Sequence, residues 1–391
     1  MCICLLQVSV IFLNLSMKSN SAPLKIHLMI DSLISGGAQR QIVTLANELA
    51  NRGCQINLIT YYRYYDLNDF VRSEVRLVHI DRKSKIDIAY MFRIWRFFRL
   101  NKPHCLISYL RTPSFFARIL GRLAGVENII TSERNTSIGQ SWKVVFVERI
   151  LSFFSNAIVV NSEAGRKQLI ECKINGAPIV VIRNGLDFSV FSRATDVEVA
   201  RLRESIAVKS DEFLVLLPGR ISRQKNPLLL LQAVKCLAGD IKGLIIAFAG
   251  NELDPKLVLE LKSTAKQLDE YARCLFLGRR DDMALLYSSS DVVVLPSLWE
   301  GFPNVLLEAM ACATPVIASD VSDNSEIVTD QVGCIFPSND PRALAASILQ
   351  MYELGIEGRR EIGKNGRERA AGLCSLQTFG DRYLKLIQEL Q

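Results

Sequence analysis

The chain has 391 residues, 49% of them hydrophobic, which excludes a disordered polypeptide and suggests two or three domains of ordinary size. The net charge of +7 is uneven: residues 1–190 carry 24 basic and 13 acidic side chains, residues 191–391 carry 23 and 27. A basic first half beside a slightly acidic second half points to an anionic ligand or surface on one side, and no helix-turn-helix, zinc-finger or aromatic RNA-binding pattern accompanies it, so nucleic acid is not expected.

Residues 1–21 form a leader or a misassigned start. Met1–Ser16 is apolar, has no basic n-region and is too short to span a bilayer comfortably, so it is either a short anchor or an upstream start before Met17. From there short β-like runs alternate with amphipathic helical runs. Lys25–Ile30 reads as a strand, Ala38–Asn51 as a helix closed by Gly53, and Gln55–Thr60 as a strand. Ile86–Leu100 is helical, Cys105–Ser108 a strand, Ser114–Ala124 helical, Asn128–Thr131 a strand, and Trp142–Phe154 helical. Ala157–Val160 and Ile179–Ile182 complete a βαβ series, which implies a parallel sheet covered on both faces.

The pattern breaks at the turn Arg183-Asn184-Gly185-Leu186-Asp187 and resumes at Phe213–Leu217. Leu244–Ala249, Cys274–Leu277, Val292–Leu295 and Val316–Ala318 follow as strands with helices between. Two Rossmann-like units result, 22–190 and 191–374, with a helix in 375–391 that packs back on the first. The ten cysteines are scattered, with no C-x-x-C pair and no His/Cys zinc spacing. They read as reduced thiols, mostly small core residues, in a cytosolic enzyme.

Three loops at strand ends carry chemistry. Asp31 to Arg40 holds Gly36-Gly37 between a strand and a helix, where a bare backbone admits a ligand closely and its N–H groups can point at it. This is not G-x-G-x-x-G, so a nicotinamide cofactor is disfavoured. Pro218 to Pro227 holds Gly219, Arg220 and Lys225, two fixed cations that can converge on a diphosphate. Glu300-Gly301-Phe302-Pro303-Asn304-Val305-Leu306-Leu307-Glu308 follows the strand Val292–Leu295. Pro303 suits a first helical turn, leaving the N–H groups of Asn304 and Val305 for an anion. The spacing of Glu300 and Glu308 alone is uninformative, and Glu308 is also readable as an exposed helical residue. No D-x-D occurs, so no metal is expected to hold a donor diphosphate, and none is expected as a cofactor.

In this order the motifs resemble glycosyltransferase family 4, retaining enzymes of the two-domain α/β GT-B fold, whose Rossmann-like domains face a central cleft. The matching residues are Gly36 to Arg40, Ser132-Glu133-Arg134-Asn135, Asn161-Ser162-Glu163, Asn184-Gly185, Gly219-Arg220 with Lys225-Asn226, and Glu300 through Glu308, within a likeness from about Lys25 to the C-terminus. Ser-Glu-Arg-Asn is commoner in a subset acting on bacterial surface polysaccharides. The resemblance implies that Arg220 and Lys225 hold the donor diphosphate and that Glu308 binds ribose hydroxyls. It implies that Glu300 contacts the transferred sugar, and that Gly37 lets the diphosphate approach from the N-terminal domain. Gly36, Gly219, Phe302, Pro303, Asn304, Val305 and Arg134 would complete the substrate site. In the mechanism proposed for the family the leaving phosphate takes the acceptor's proton, so no protein base is needed.

One departure stands out. Many members carry a histidine where this chain has Tyr109-Leu110-Arg111, and His27, His79 and His104 read as structural. The segment Arg82–Lys102 combines seven basic residues with aromatics; it is either a helix on anionic lipid headgroups or a solvated basic face over a packed aromatic one. The expected activity is transfer of a hexose or N-acetylhexosamine from a nucleotide sugar, UDP by family frequency, to a lipid-linked or growing surface glycan, with the enzyme cytoplasmic and peripheral on the inner membrane face. The alternatives are a small soluble acceptor, as in sucrose or trehalose synthesis, and a non-catalytic binding subunit.

Overall fold

The computed structural model describes residues 23–34, 36–134 and 141–391; the leader Met1–Ser16, Ser35 and Asn135 of the sequence motifs lie outside the described residues. The first half runs β1 Lys25–Met29, α1 Gly37–Asn51, β2 Gln55–Thr60, β3 Arg76–His79, α2 Ile88–Leu100, β4 Cys105–Tyr109, α3 Arg111–Phe116, β5 Ile129–Glu133, α4 Trp142–Ser152, β6 Ala157–Val160, α5 Glu163–Glu171 and β7 Ile179–Val181. The second runs α6 Asp196–Ser205, β8 Phe213–Pro218, α7 Pro227–Leu237, β9 Leu244–Ala249, α8 Pro255–Lys266, β10 Arg273–Gly278, α9 Met283–Ser289, β11 Val292–Leu295, α10 Asn304–Ala311, β12 Val316–Ser319, α11 Asn324–Ile327, β13 Gly333–Phe336, α12 Pro341–Glu353, α13 Gly355–Cys374 and α14 Leu376–Glu389.

Each half is an all-parallel sheet. The orders are β3-β2-β1-β4-β5-β6-β7 and β10-β9-β8-β11-β12-β13. The central strands are buried on both faces, which is why they read as unbroken apolar runs such as Leu244–Ala249. In each sheet the chain order reverses beside its first strand, at β1/β4 and at β8/β11, and such switch points open a crevice at the carboxyl ends of the strands.

Two strands are absent from the sequence reading, β3 and β13. Both are four-residue edge strands with part-exposed side chains, so neither shows a buried apolar run. The helix expected over Ser114–Ala124 starts earlier, as α3, and continues through one wide π turn, Ala117–Gly121. Of the eight cysteines described, all free, only Cys105, Cys312 and Cys374 are buried, which corrects the expectation of mostly core thiols. The histidines are bonded within the fold. His27 Nε2 meets Asn57 Nδ2 at 2.8 Å and burial lowers its pKa to about 3; His79 Nε2 meets Asp81 at 2.8 Å; His104 Nδ1 accepts from the Lys25 N–H at 2.9 Å.

The halves are joined at several points. Phe379, Tyr383, Leu386 and Ile387 of α14 sit in the core formed by α1 and the first sheet. The Leu186 N–H donates to the Cys374 carbonyl at 2.7 Å. Gly185 is bare because a Cβ there would lie 2.6 Å from Phe379 Cδ1. Gln41 of α1 clamps the same glycine through both backbone groups at 2.9 Å. Buried Asp323 accepts from the Glu163 and Ala164 N–H groups at 2.8 and 2.9 Å, so an acid of the second half caps α5 of the first.

Candidate active site

The loops after β1, β8 and β11 converge between the halves on two adjoining cavities of about 380 and 240 Å³. Exposed Arg220 lines both and stands where they meet. The larger is walled by Gly219, Gly250, Tyr287, Val305 and Glu308 of the second half and Arg40 of the first. The smaller is walled by Gly37, Ala38 and Arg134 on one side and by Lys225, Glu300, Phe302 and Asn304 on the other. The first turn of α1 and the start of α10 thus face one space, and two helix N-termini together favour an anion there.

Gly219 has φ +114°, and a Cβ on it would press to 3.3 Å from Lys225 Cε. Only glycine serves this turn without strain. Gly250, at the end of β9, supports it from behind: a Cβ there would lie 2.0 Å from the Gly219 carbonyl oxygen. Gly37 faces Asn304 across the cleft, with 3.8 Å between its missing Cβ and Asn304 Nδ2.

Lys225 and Glu300 meet directly. Lys225 Nζ lies 2.6 Å from Glu300 Oε1, which also accepts from Ser297 Oγ at 2.6 Å. The pair arises because β8 and β11 are hydrogen-bonded neighbours, so the loops that leave them run side by side. Gln224 secures the contact, with its carbonyl accepting from the Leu298 N–H at 2.8 Å and its Nε2 donating to the Trp299 carbonyl at 3.0 Å. In the larger cavity the Tyr287 hydroxyl donates to Glu308 Oε2 at 2.8 Å. Desolvation pushes the Glu308 carboxyl above its ordinary pKa, opposed by the Tyr287 hydrogen bond and by the positive charges of Arg40 and Lys225.

Arg134 is buried at the rim. Its guanidinium donates to Asn184 Oδ1 and to the Tyr109 hydroxyl, reaches the Tyr383 hydroxyl at 2.8 Å, and stacks 4.2 Å over the Tyr109 ring. Asn184 Nδ2 in turn donates to Asn304 Oδ1 at 2.7 Å, linking the halves across the cavity floor. Tyr109, which stands where many members of the resembled family carry a histidine, is turned into this buried cluster.

Ten of the twelve site residues singled out from the sequence therefore line the two cavities, Arg134 among them. Gly36 and Pro303 do not line either cavity. Gly36 has an extended backbone with φ −158°. Pro303 precedes α10 and does not begin it, and the Asn304 N–H is spent on the Phe302 carbonyl at 3.0 Å, which corrects its assignment as a free donor. Tyr287, Gly250 and Gln41 were not foreseen. A signal existed only for Gln41, a polar residue on the apolar stripe of α1. No group of three His, Cys, Asp or Glu placed to hold a metal occurs among the described residues.

The chain is similar to known proteins along both halves. Residues 35–190 match the family model described as Glycosyltransferase Family 4, and residues 198–369 the model described as Glycosyl transferases group 1. The chain is 27% identical over 358 residues to the UDP-Gal:alpha-D-GlcNAc-diphosphoundecaprenol alpha-1,3-galactosyltransferase of Escherichia coli, covering 86% of this chain and 90% of that one. It is 25% identical over 387 residues to a Campylobacter jejuni alpha-1,4-N-acetyl-D-galactosaminyltransferase acting on an undecaprenol-diphosphate-linked saccharide, covering 94% and 99%. Among solved structures, Anabaena Alr3699/HepE in complex with UDP superposes with a TM-score of 0.82 at 19% identity, covering 94% of this chain and 100% of that one.

Proposed function

Given that the chain belongs to the family 4 glycosyltransferases and has their two-domain GT-B fold, we propose that it moves a galactose- or N-acetylgalactosamine-type hexose from its UDP derivative to a hydroxyl of a lipid-diphosphate-linked glycan. The observation that carries this is the arrangement of Arg220 between a cavity holding Glu308 and one holding the Lys225–Glu300 pair. The nucleoside lies in the larger cavity with its ribose hydroxyls on Glu308. The diphosphate lies on Arg220 and Lys225, and the sugar lies against Glu300 and Asn304.

As the anomeric C–O bond breaks, negative charge grows on the diphosphate. The two cations and the α1 N-terminus stabilise it in place without reorganising. The acceptor oxygen forms the new bond on the same face, and its proton passes to the departing phosphate oxygen, so the configuration is retained. NMR of the first-formed product tests this. An α-linked sugar on a diphosphate-lipid acceptor is the expected result, and a β-linked product excludes the retaining course.

The two near-full-length relatives act on undecaprenol-diphosphate-linked saccharides, and no helix of the described residues is long and apolar enough to cross a membrane. We therefore place the protein peripherally, on the inner face of the cytoplasmic membrane, with the basic segment Arg82–Lys102 toward the lipid; Arg93, Arg96 and Arg99 are exposed along α2. This favours a lipid-linked acceptor over a small soluble one.

A pH prediction follows from Glu308. Its folded pKa is raised, so ionised Glu308 costs stability above the ordinary carboxylate range and regains it on protonation. Binding ribose hydroxyls needs the ionised form. Tyr287→Phe removes a hydrogen bond that holds the pKa down, so the acid limb of the kcat/KM profile for donor moves to higher pH. Donor KM at neutral pH rises about fivefold, the equivalent of ~1 kcal/mol. An unmoved acid limb removes Glu308 from donor binding.

A further inference from the structure

We propose that α4 is a membrane wedge: its outward face inserts into the headgroup region of an anionic bilayer, and the arginines of α2 flank it. Trp142, Phe146, Ile150 and Phe153 recur at helical spacing and are all exposed, at 73, 54, 50 and 71%. A surface helix ordinarily turns its apolar stripe inward. Here the inward face carries Glu148, in a buried ion pair with Arg118 at 2.6 Å, together with Leu151 and Ser152. Among the described residues nothing covers the apolar stripe outside.

The stripe is part of a larger face. The successive strands β4, β5 and β6 lie side by side, and right-handed crossovers place α2, α3 and α4 on one side of the sheet. The end of α4 is tied to the segment after α3 by Arg122 Nε, which donates to the Phe154 carbonyl at 3.1 Å. Exposed Phe115 of α3 and Leu123 of the segment after it lie on these neighbouring elements.

Charge decides the occupant. The segments 88–100, 111–125 and 142–154 carry eight basic side chains and one acid; Arg118 and Glu148 pair internally, which leaves seven basic side chains and no acid. A second copy docked through this face would set like charges against each other. An anionic headgroup layer complements them. The proposal builds on the lipid-linked acceptor above but fails separately from it. Transfer to that acceptor in detergent reports the acceptor, whereas flotation reports the face.

The test is flotation of the full chain with phosphatidylglycerol-containing vesicles and with phosphatidylcholine vesicles. The wild type floats with the first and not the second. Phe146→Ser with Phe153→Ser lowers the bound fraction about tenfold or more, from lost apolar insertion. Arg96→Glu with Arg99→Glu does so by a similar factor, and added salt mimics it. Both variants keep the wild-type UDP-induced rise in melting temperature, which establishes that they are folded. Variants that float like the wild type overturn the proposal. So does a wild type that fails to float, or one that is dimeric where the Phe146/Phe153 variant is monomeric, which would identify a second copy as the occupant.

Discussion

Lys225→Ala is expected to lower kcat for sugar transfer by about 10²–10³-fold, the usual cost of removing one preorganised electrostatic partner of a developing anion. The substitution also strands a carboxylate. Glu300 is 6% exposed and Lys225 13%, so the pair is largely out of water, and breaking such a pair costs ~3–5 kcal/mol of stability. The two effects are separable. Lys225→Met combined with Glu300→Gln removes both charges, so it restores most of the melting temperature while transfer stays lost. Normal transfer by the folded double variant would show that the pair is structural and that the diphosphate lies elsewhere.

Gly250→Ala is the second large effect, and it acts at a wall residue that offers no side chain to the donor. The added methyl would meet the backbone of Gly219, 2.0 Å from its oxygen and 2.4 Å from its carbonyl carbon, so the end of β8 must move. Overpacking of this kind costs ~1–3 kcal/mol. Arg220 follows Gly219 directly, and a misplacement of about 1 Å near reacting groups costs roughly 100-fold in rate. A fall of that size in kcat/KM, with a lower melting temperature, is expected. Gly372→Ala is the control: no atom lies within 4 Å of its would-be Cβ and it sits in α13, so stability holds or rises by up to ~1 kcal/mol. Wild-type activity in Gly250→Ala would mean that the Gly219–Arg220 turn does not position the donor.

The fold was legible because parallel strands buried on both faces leave plain apolar runs, and β8, β9 and β11 are of that kind. The edge strands β3 and β13 leave no such run. The three ligand-facing loops were found because glycine and fixed cations at strand ends have few other uses. Which of those residues meet was not legible. Lys225 and Glu300 are 75 positions apart and pair only because β8 and β11 are neighbours in the sheet. Tyr287 lies in the short helix α9, and nothing in its sequence surroundings aims it at Glu308. Gly250 reads as one more strand-end glycine until its contact with Gly219 is seen. Asn184-Gly185 matches the family motif, but its physical sense needs α14: Gly185 makes room for Phe379, and Asn184 couples Arg134 to Asn304.

The donor site itself is tested most directly by calorimetric titration of UDP into the wild type, Arg220→Ala and Glu308→Ala. Arg220 stands at the junction of the two cavities and Glu308 walls only the larger. Saturable one-to-one binding by the wild type, weakened at least tenfold in each variant, is the expected result, since each loses a charged hydrogen-bonding partner worth ~1.5–3 kcal/mol. Equal affinity in all three proteins would contradict the placement of the nucleoside diphosphate between β8, α10 and the first turn of α1.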